Sequence, residues 1–251
     1  MGQRLAVLST CAVAVAASAW PVAAQAVRSP AAKTALEAFN SQTPETIDAY
    51  LTRLRPPAMD AGSRAQVLAS LPKTGELRPS RGELEKIAAA ERILDYSARK
   101  ETVTVKVIDL DYAFTGLYYR TVLLVSRQQL AILDADEFAA FAAHELGHDY
   151  DWDVYWAAMT GKDHARRQEL ELRADGLAVL TLLAAGINPE RLVSAVQKTM
   201  RYNDGRGEAL NPEDYVPLSE RIAFIRAVEA LPWAQTPMRT AGASVASGPP
   251  R

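Results

Sequence analysis

Residues 138–148 read Phe-Ala-Ala-Phe-Ala-Ala-His-Glu-Leu-Gly-His. The stretch predicts a buried helix because it is apolar at nearly every position before His144. His144 and His148 are four residues apart, so on a helix they share one face and can direct two imidazole nitrogens at one zinc ion. Glu145 lies at the edge of that face, where its carboxylate can reach a water on the metal without being a ligand. Burying these three side chains is costly unless something satisfies them, and a metal ion does so.

A third ligand is needed, because a catalytic zinc has three protein ligands and one open position. The only other histidine is His164, and the only cysteine is Cys11. Glu171 and Asp175 lie four residues apart on a second predicted helix, directly before an apolar run at 176–185. One of these carboxylates can bind zinc while the other accepts the free N–H of a zinc-bound histidine. The alternative is a solvated charged face formed by Glu169, Glu171, Asp175, Arg166, Arg167 and Arg173.

Composition and the first residues bound the class of protein. The chain has 251 residues, is 49% hydrophobic and carries a net charge of −2, with no basic block that indicates nucleic-acid binding. Residues 1–26 resemble a secretory signal, with Arg4 before an apolar stretch at 5–20 and a small-x-small cleavage site at 24–26. The alternatives are a membrane anchor and a lipid-modified Cys11. Cleavage after residue 26 removes the only cysteine, so the mature chain has no disulfide and its metal ligands are histidines and carboxylates. No later stretch reaches the length of a membrane span.

Local sequence signals predict a helix-rich α+β fold. Three stretches rich in β-branched residues, 102–108, 112–117 and 120–126, predict a small antiparallel sheet beside the zinc helix. Capping signals are Thr43 before Pro44, Ser80 with Glu83, and Asp134 with Glu137. The predicted helices are 31–39, 44–54, 61–71, 81–98, 135–148, 163–185, 189–202 and 218–231. For the aromatic and acidic residues at 149–156 we favour a continuing helix with a solvated acidic face and a packed aromatic face; a cleft wall beside the metal is the alternative.

The motif set resembles a known family. His144-Glu145-Leu146-Gly147-His148 followed by Glu171-x-x-Ala174-Asp175 is similar to the gluzincin metallopeptidases of the HtpX and CAAX-prenyl-protease type. Asn188-Pro189 and the stretch Pro217-Leu218-Ser219-Glu220-Arg221-Ile222 resemble later landmarks of that family. The resemblance covers roughly residues 103–228. It implies that His144, His148 and Glu171 are the zinc ligands, that Glu145 is the general base, and that Asp175 orients one of the histidines.

This chain departs from the family at two positions. Relatives usually carry a histidine directly before the proline that corresponds to Pro217, and this chain has Val216. Relatives often have Asn-Ala in the edge strand that binds substrate, where this chain has Tyr112-Ala113. The first departure leaves stabilisation of the transition-state oxyanion unassigned. The candidates for that role are Tyr215, Arg221, Tyr202 and His164.

The resemblance implies a minimal, soluble, exported member of the family, in the periplasm or secreted. Its segments are a signal peptide (1–26), a helical N-terminal segment (27–100), a zinc metallopeptidase domain (101–231) and a disordered tail (232–251). The expected function is zinc-dependent hydrolysis of peptide bonds in unfolded or damaged extracytoplasmic proteins, with polypeptides as the partners. One alternative is an envelope protein that keeps zinc and binds peptides but cleaves poorly. Others are a purely structural metal site, buried histidines without metal, and a peptidase whose cleft is covered by residues 27–100.

Overall fold

The computed structural model describes residues 27–44, 46–71, 75–208 and 211–235. The predicted signal peptide and the part of the predicted tail from 236 to 251 lie outside these ranges. The strands are β1 (Glu76–Leu77), β2 (Thr104–Ile108), β3 (Thr115–Tyr118) and β4 (Val122–Ser126). The helices are α1 (Pro30–Asn40), α2 (Ile47–Leu54), α3 (Ala61–Ser70), α4 (Arg81–Tyr96), α5 (Arg127–Ile132), α6 (Ala135–Tyr150), α7 (Trp152–Gly161), α8 (His164–Ala184), α9 (Glu190–Asp204) and α10 (Leu218–Glu229).

Helix α6 is the central element. Its start is set by a capping box: the Asp134 side chain accepts from Glu137 N–H, and the Glu137 carboxylate accepts from Asp134 N–H. From Glu137 to Asp149 every residue except Phe141 is buried, because α6 contacts α4, α8, α9 and β3. The predicted α+β, helix-rich class and the predicted cap of this helix are both confirmed.

Helices α6 and α8 approach closely at Gly147. A Cβ atom at this position would lie 2.7 Å from both the Cα and the carbonyl oxygen of Ala174. Backbone atoms cannot move aside as a flexible side chain can, so glycine at 147 and a small residue at 174 permit this contact. The contact lies between His144 and His148 on one helix and Glu171 and Asp175 on the other, and it holds the two motifs together.

The sheet is mixed, with strand order β1-β2-β4-β3. β1 pairs antiparallel with β2, and β3 pairs antiparallel with β4, but β2 and β4 are parallel. The prediction of a wholly antiparallel sheet was wrong in this detail. The chain leaves β2, crosses to the far edge to form β3, and returns through a hairpin so that β4 lies between them. Apolar patterning predicts which face of a strand is buried and carries no information on strand direction.

Strand β3 forms the edge of the sheet beside α6, and it begins later than predicted. Tyr112 and Ala113 precede the strand, and the Asn203 side chain bonds both the N–H and the C=O of Ala113 at 2.8 and 2.9 Å. The pair that corresponds to Asn-Ala of the relatives therefore lies outside β3, with the Ala113 backbone already bonded. The open edge belongs to Thr115–Tyr118.

The remaining differences are local. The side-chain cap of α2 is Thr46 and not Thr43, while the capping box at Ser80 and Glu83 is confirmed. The short elements β1 and α5 were not predicted.

The N-terminal helices contribute to the same hydrophobic core as α6 and α8, with Phe39 on α1 packing edge-on against Phe224 on α10. In the part of the chain that the structure covers, no helix combines the length and apolarity needed to cross a bilayer.

Candidate metal centre

His144, His148 and Glu171 meet at one point between α6 and α8. All three side chains are buried, and one potential ligand atom from each lies within 4.8 Å of the others. Glu171 Oε2 lies 3.5 Å from His144 Nε2 and 3.8 Å from His148 Nε2. Direct N–H···O bonds are normally about 2.7–3.2 Å long, whereas ligand atoms around a tetrahedral ion with bonds of about 2.0–2.1 Å are about 3.3 Å apart. The spacing fits a small metal ion, so the triad can hold one.

Asp175 lies behind the triad, where the sequence predicted a supporting carboxylate. It is fully buried, and its Oδ1 is 2.8 Å from His144 Nδ1, although the N–H···O alignment of this close contact is poor. Arg221 donates to both Asp175 oxygens, at 2.6 and 2.7 Å. This bidentate pair fixes the carboxylate, and the carboxylate in turn orients the His144 ring so that Nε2 points into the triad.

The pKa values of the ionisable side chains at the centre are shifted far from their ordinary values. Burial lowers the pKa of His148 to about 4, so this ring is neutral and its lone pair is free. Burial also acts to lower the pKa of His144, but the carboxylates of Asp175 and Glu171 outweigh it and raise that pKa to about 10. The pKa of Glu171 falls to about 2 because the nearby histidines outweigh the effect of burial. Two carboxylates therefore favour positive charge at this point, as a proton on His144 or as a bound cation.

Glu145 lies beside the triad and is bonded to the edge strand. Its Oε2 accepts the N–H of Leu117 on β3 at 2.9 Å. Burial raises the pKa of Glu145 to about 7. A carboxylate with such a pKa can take up and release a proton near neutrality.

A cavity of about 500 Å³ opens onto the triad. Its walls come from β3, α6, α7, α8, α9 and the segment before α10, and none of the described residues between 27 and 100 lines it. The triad is thus accessible from the cavity, as a reactive centre requires.

Helix α7 forms one wall of this cavity. Residues 149–156 are helical as predicted, apart from a break at Asp151, but their aromatic side chains form a cleft wall, which was the alternative. Tyr155 was missed as a site residue. Its hydroxyl donates to Glu171 Oε1 at 3.1 Å, and its ring centroid lies 4.2 Å from that of His148. His148 and Tyr155 lie on different helices, α6 and α7, with a break at Asp151 between them, so helical spacing in the sequence does not predict their contact.

Asp149 is also not on a solvated face. It is buried and binds Arg99 at 2.7 Å and Arg120 at 2.5 Å. These arginines also donate to the carbonyls of Pro56 and Pro57, at 2.6 and 2.7 Å. The carboxylate that directly follows His148 thereby fixes the end of the His144–His148 motif to the β3–β4 hairpin.

The structure separates the four candidates for oxyanion stabilisation. Tyr215 and Arg221 line the cavity, but Arg221 is committed to Asp175. Tyr202 lies outside the lining and stacks on Arg206 with 4.6 Å from Cζ to the ring centroid. His164 is also outside it and contacts Asp214 at 2.7 Å. Val216 is buried in the core, and Tyr215 beside it is the candidate that faces the centre.

Comparison with known proteins adds no assignment. No protein-family model matches the chain, and no curated protein matches its sequence. The metal centre therefore rests on the geometry of the described residues.

Proposed function

We propose that the protein is a zinc-dependent endopeptidase of the gluzincin type. The observation that carries the proposal is the buried triad of His144, His148 and Glu171, open to a cavity, with the Glu145 carboxylate between it and the open edge of β3. Two imidazoles and one carboxylate are a donor set typical of catalytic zinc. When bound, zinc polarises the scissile carbonyl and activates water.

Glu145 is the general base in this proposal. Its carboxylate accepts the proton of the attacking water and then delivers it to the leaving amine, which is the role that its pKa of about 7 suits. The N–H of Leu117 holds the carboxylate in place before substrate binds. The proton moves from water to the amine by way of this one side chain, so Glu145 returns to its starting charge after each cycle.

The edge strand β3 binds the substrate backbone. Phe114 C=O accepts from Ser126 N–H on the β4 side, and Leu117 N–H points to Glu145 on the other side. Main-chain groups alternate in direction along a strand, so those of Thr115 and Leu117 face away from β4. Because Leu117 N–H is bonded to Glu145, the groups that pair with a substrate are the N–H and C=O of Thr115 and the C=O of Leu117. An extended polypeptide can add to this edge and cross the triad, and such pairing is largely independent of side-chain sequence.

Tyr215 stabilises the oxyanion of the transition state. It lines the cavity and lies close enough to Glu171 for that carboxylate to raise its pKa well above the usual range, so its hydroxyl stays protonated and can donate. This assignment replaces the histidine that relatives carry at the position of Val216. Substrates outside the cytoplasm, in unfolded or damaged proteins, are proposed from the family resemblance and from the sequence of residues 1–26.

A second candidate function is peptide binding with little cleavage. The buried Val216 favours it, because valine offers no hydrogen-bond donor where the family has a histidine. In that case zinc and the cavity are retained while turnover is lost.

Cleavage of an unfolded protein such as reduced, alkylated casein by the zinc-loaded chain tests the proposal. The matched control is Glu145→Gln, which keeps the size of the side chain and removes the base. We expect wild type to cut and the variant to retain zinc but lose at least about 1000-fold in rate. Absence of cutting by wild-type protein that holds one zinc per chain refutes the peptidase and supports the peptide-binding alternative.

A further inference from the structure

Four aromatic rings form a continuous surface at one end of the cavity. This aromatic cluster consists of Tyr118, Tyr119, Trp152 and Trp156, all of which line the cavity. Ring centroids are 4.7 Å apart for Tyr118 and Tyr119, 5.3 Å for Tyr119 and Trp156, and 6.1 Å for the stacked pair Trp152 and Trp156. Tyr119 is 38% exposed and Trp156 37% exposed, so the cluster presents apolar ring surface to whatever enters the cavity.

The cluster is continuous with the edge strand. Tyr118 is the last residue of β3, and Tyr119 is the first residue of the turn that follows. Glu145 contacts Leu117, so the reacting centre is one residue from Tyr118 along the edge, about 3.4 Å at the usual rise of a strand, and Tyr119 follows directly in the turn. A polypeptide paired with β3 over the centre must therefore pass the cluster.

The turn that carries Tyr119 is held in an uncommon conformation. Tyr119 and Arg120 have φ values of 43° and 56°, in the left-handed region that non-glycine residues seldom adopt. The Arg120 guanidinium is bound by the buried Asp149 and by the Pro57 carbonyl, which hold the turn against this strain. On the other side, Asp151 at the start of α7 is anchored to Arg173 at 3.0 Å. The turn that carries Tyr119 is thus bonded to α6 through Asp149. The start of α7, which carries the two tryptophans, is bonded to α8 through Arg173.

We propose that the aromatic cluster is a specificity subsite that binds an aromatic or large apolar side chain of the polypeptide substrate. The subsite takes the residue about two positions to the N-terminal side of the scissile bond. An added strand pairs most favourably in the antiparallel direction, so its N-terminal part lies at the Tyr118 end of β3. Aromatic rings contribute large apolar contact areas and edge-to-face contacts, which an aromatic substrate side chain can match. This inference deepens the proposed endopeptidase function and rests on it.

Binding of labelled peptides to zinc-loaded Glu145→Gln protein tests the subsite, with fluorescence anisotropy as the readout. The peptides differ only at one position, which carries Phe, Ser or Lys. We expect the Phe peptide to bind about tenfold or more tightly than the Ser peptide. Adding Trp156→Ser should reduce this preference to about twofold or less. Adding Leu84→Ser, which removes an exposed apolar side chain from α4, outside the cavity lining, should leave the preference intact.

Four results separate this inference from the proposed function. A Phe preference that Trp156→Ser does not change overturns the subsite, and so does tighter binding of the Lys peptide. A third contrary result is equal binding of the three peptides, together with binding of the protein to phosphatidylcholine–phosphatidylglycerol vesicles. If Trp156→Ser abolishes the vesicle binding, the subsite is overturned and the cluster is assigned to a membrane surface. If wild type cleaves no peptide while Glu145→Gln keeps the Phe preference, the subsite stands and the endopeptidase fails.

Discussion

Replacement of Gly147 by alanine should pull apart the two halves of the metal centre. The added Cβ would lie 2.7 Å from the Cα and the carbonyl oxygen of Ala174, whereas ordinary contacts of a Cβ begin at 3.4 Å. The difference, 3.4 minus 2.7, requires a relative shift of α6 and α8 of about 0.7 Å. Metal–ligand distances tolerate only about 0.2 Å. Because Glu171 belongs to α8 and both histidines to α6, the shift acts directly on the ligand set.

The expected magnitudes follow from two opposing effects. Overpacking a close contact costs about 1–3 kcal/mol, and alanine gains up to about 1 kcal/mol over glycine in a helix. The net destabilisation of the metal-free protein is about 1 kcal/mol, or a decrease in Tm of about 2–4 °C for a chain of this size. Zinc affinity should fall at least about tenfold, since a misplaced ligand costs more in the metal complex than in the metal-free protein.

The assay is a zinc titration against a competing chelator, with thermal unfolding of the metal-free protein beside it. Gly82→Ala is the matched control, because Gly82 lies in helix α4 and a Cβ there meets nothing within 4 Å. The control should keep its zinc affinity and its Tm should be unchanged or higher. Wild-type zinc affinity and an unchanged Tm for Gly147→Ala would refute the view that this close approach builds the site.

Three further predictions concern single side chains. Tyr215→Phe should lower kcat about 100-fold while zinc content and KM stay near wild type. A rise in KM that exceeds the fall in kcat would remove Tyr215 from the oxyanion role. Asp175→Asn should weaken zinc binding about 10–100-fold, because His144 loses the carboxylate beside Nδ1; unchanged affinity in a competition titration contradicts this. Burial acts to raise the pKa of Glu137, but bonds from Lys198 and its neighbours outweigh it and lower that pKa. A carboxyl group whose pKa is lower in the folded protein stabilises the fold at pH values above its unfolded pKa of about 4.3. This stabilisation is lost as the pH falls through the folded pKa. Urea unfolding of the metal-free protein should therefore show Glu137→Gln less stable than wild type at pH 7, with the gap closing below about pH 4; a gap that is constant with pH is the contrary result.

The parts of the fold that sequence predicted well depend on local chemistry. The start of α6 is fixed by Asp134 and Glu137, three residues apart, and that of α4 by Ser80 and Glu83 in the same arrangement. Helical spacing also placed the two histidines on one face. These features involve neighbours within one helical turn, so a single sequence contains all the information needed.

The parts that were wrong depend on contacts distant in sequence. Asn203 binds the backbone of Ala113 from 90 residues away, and Ala113 lies outside β3, which was predicted to begin at Tyr112. Asp149 lies near other acidic residues in the sequence, which indicates a solvated face, yet it is buried and forms ion pairs with Arg99 and Arg120. The parallel pairing of β2 with β4 depends on the route of the chain between them. None of these partners can be identified from patterning alone, because each requires the tertiary arrangement first.

The assignment of ligands and base is tested most directly by zinc affinity, measured side by side for Glu145→Gln and Glu171→Gln. Both substitutions remove a negative charge from a buried site and keep the side-chain size. The account predicts that Glu145→Gln binds zinc within about threefold of wild type, since Glu145 is not a ligand, and that Glu171→Gln weakens binding at least about 100-fold. Equal losses in the two variants, or undiminished binding by Glu171→Gln, would contradict the proposed centre.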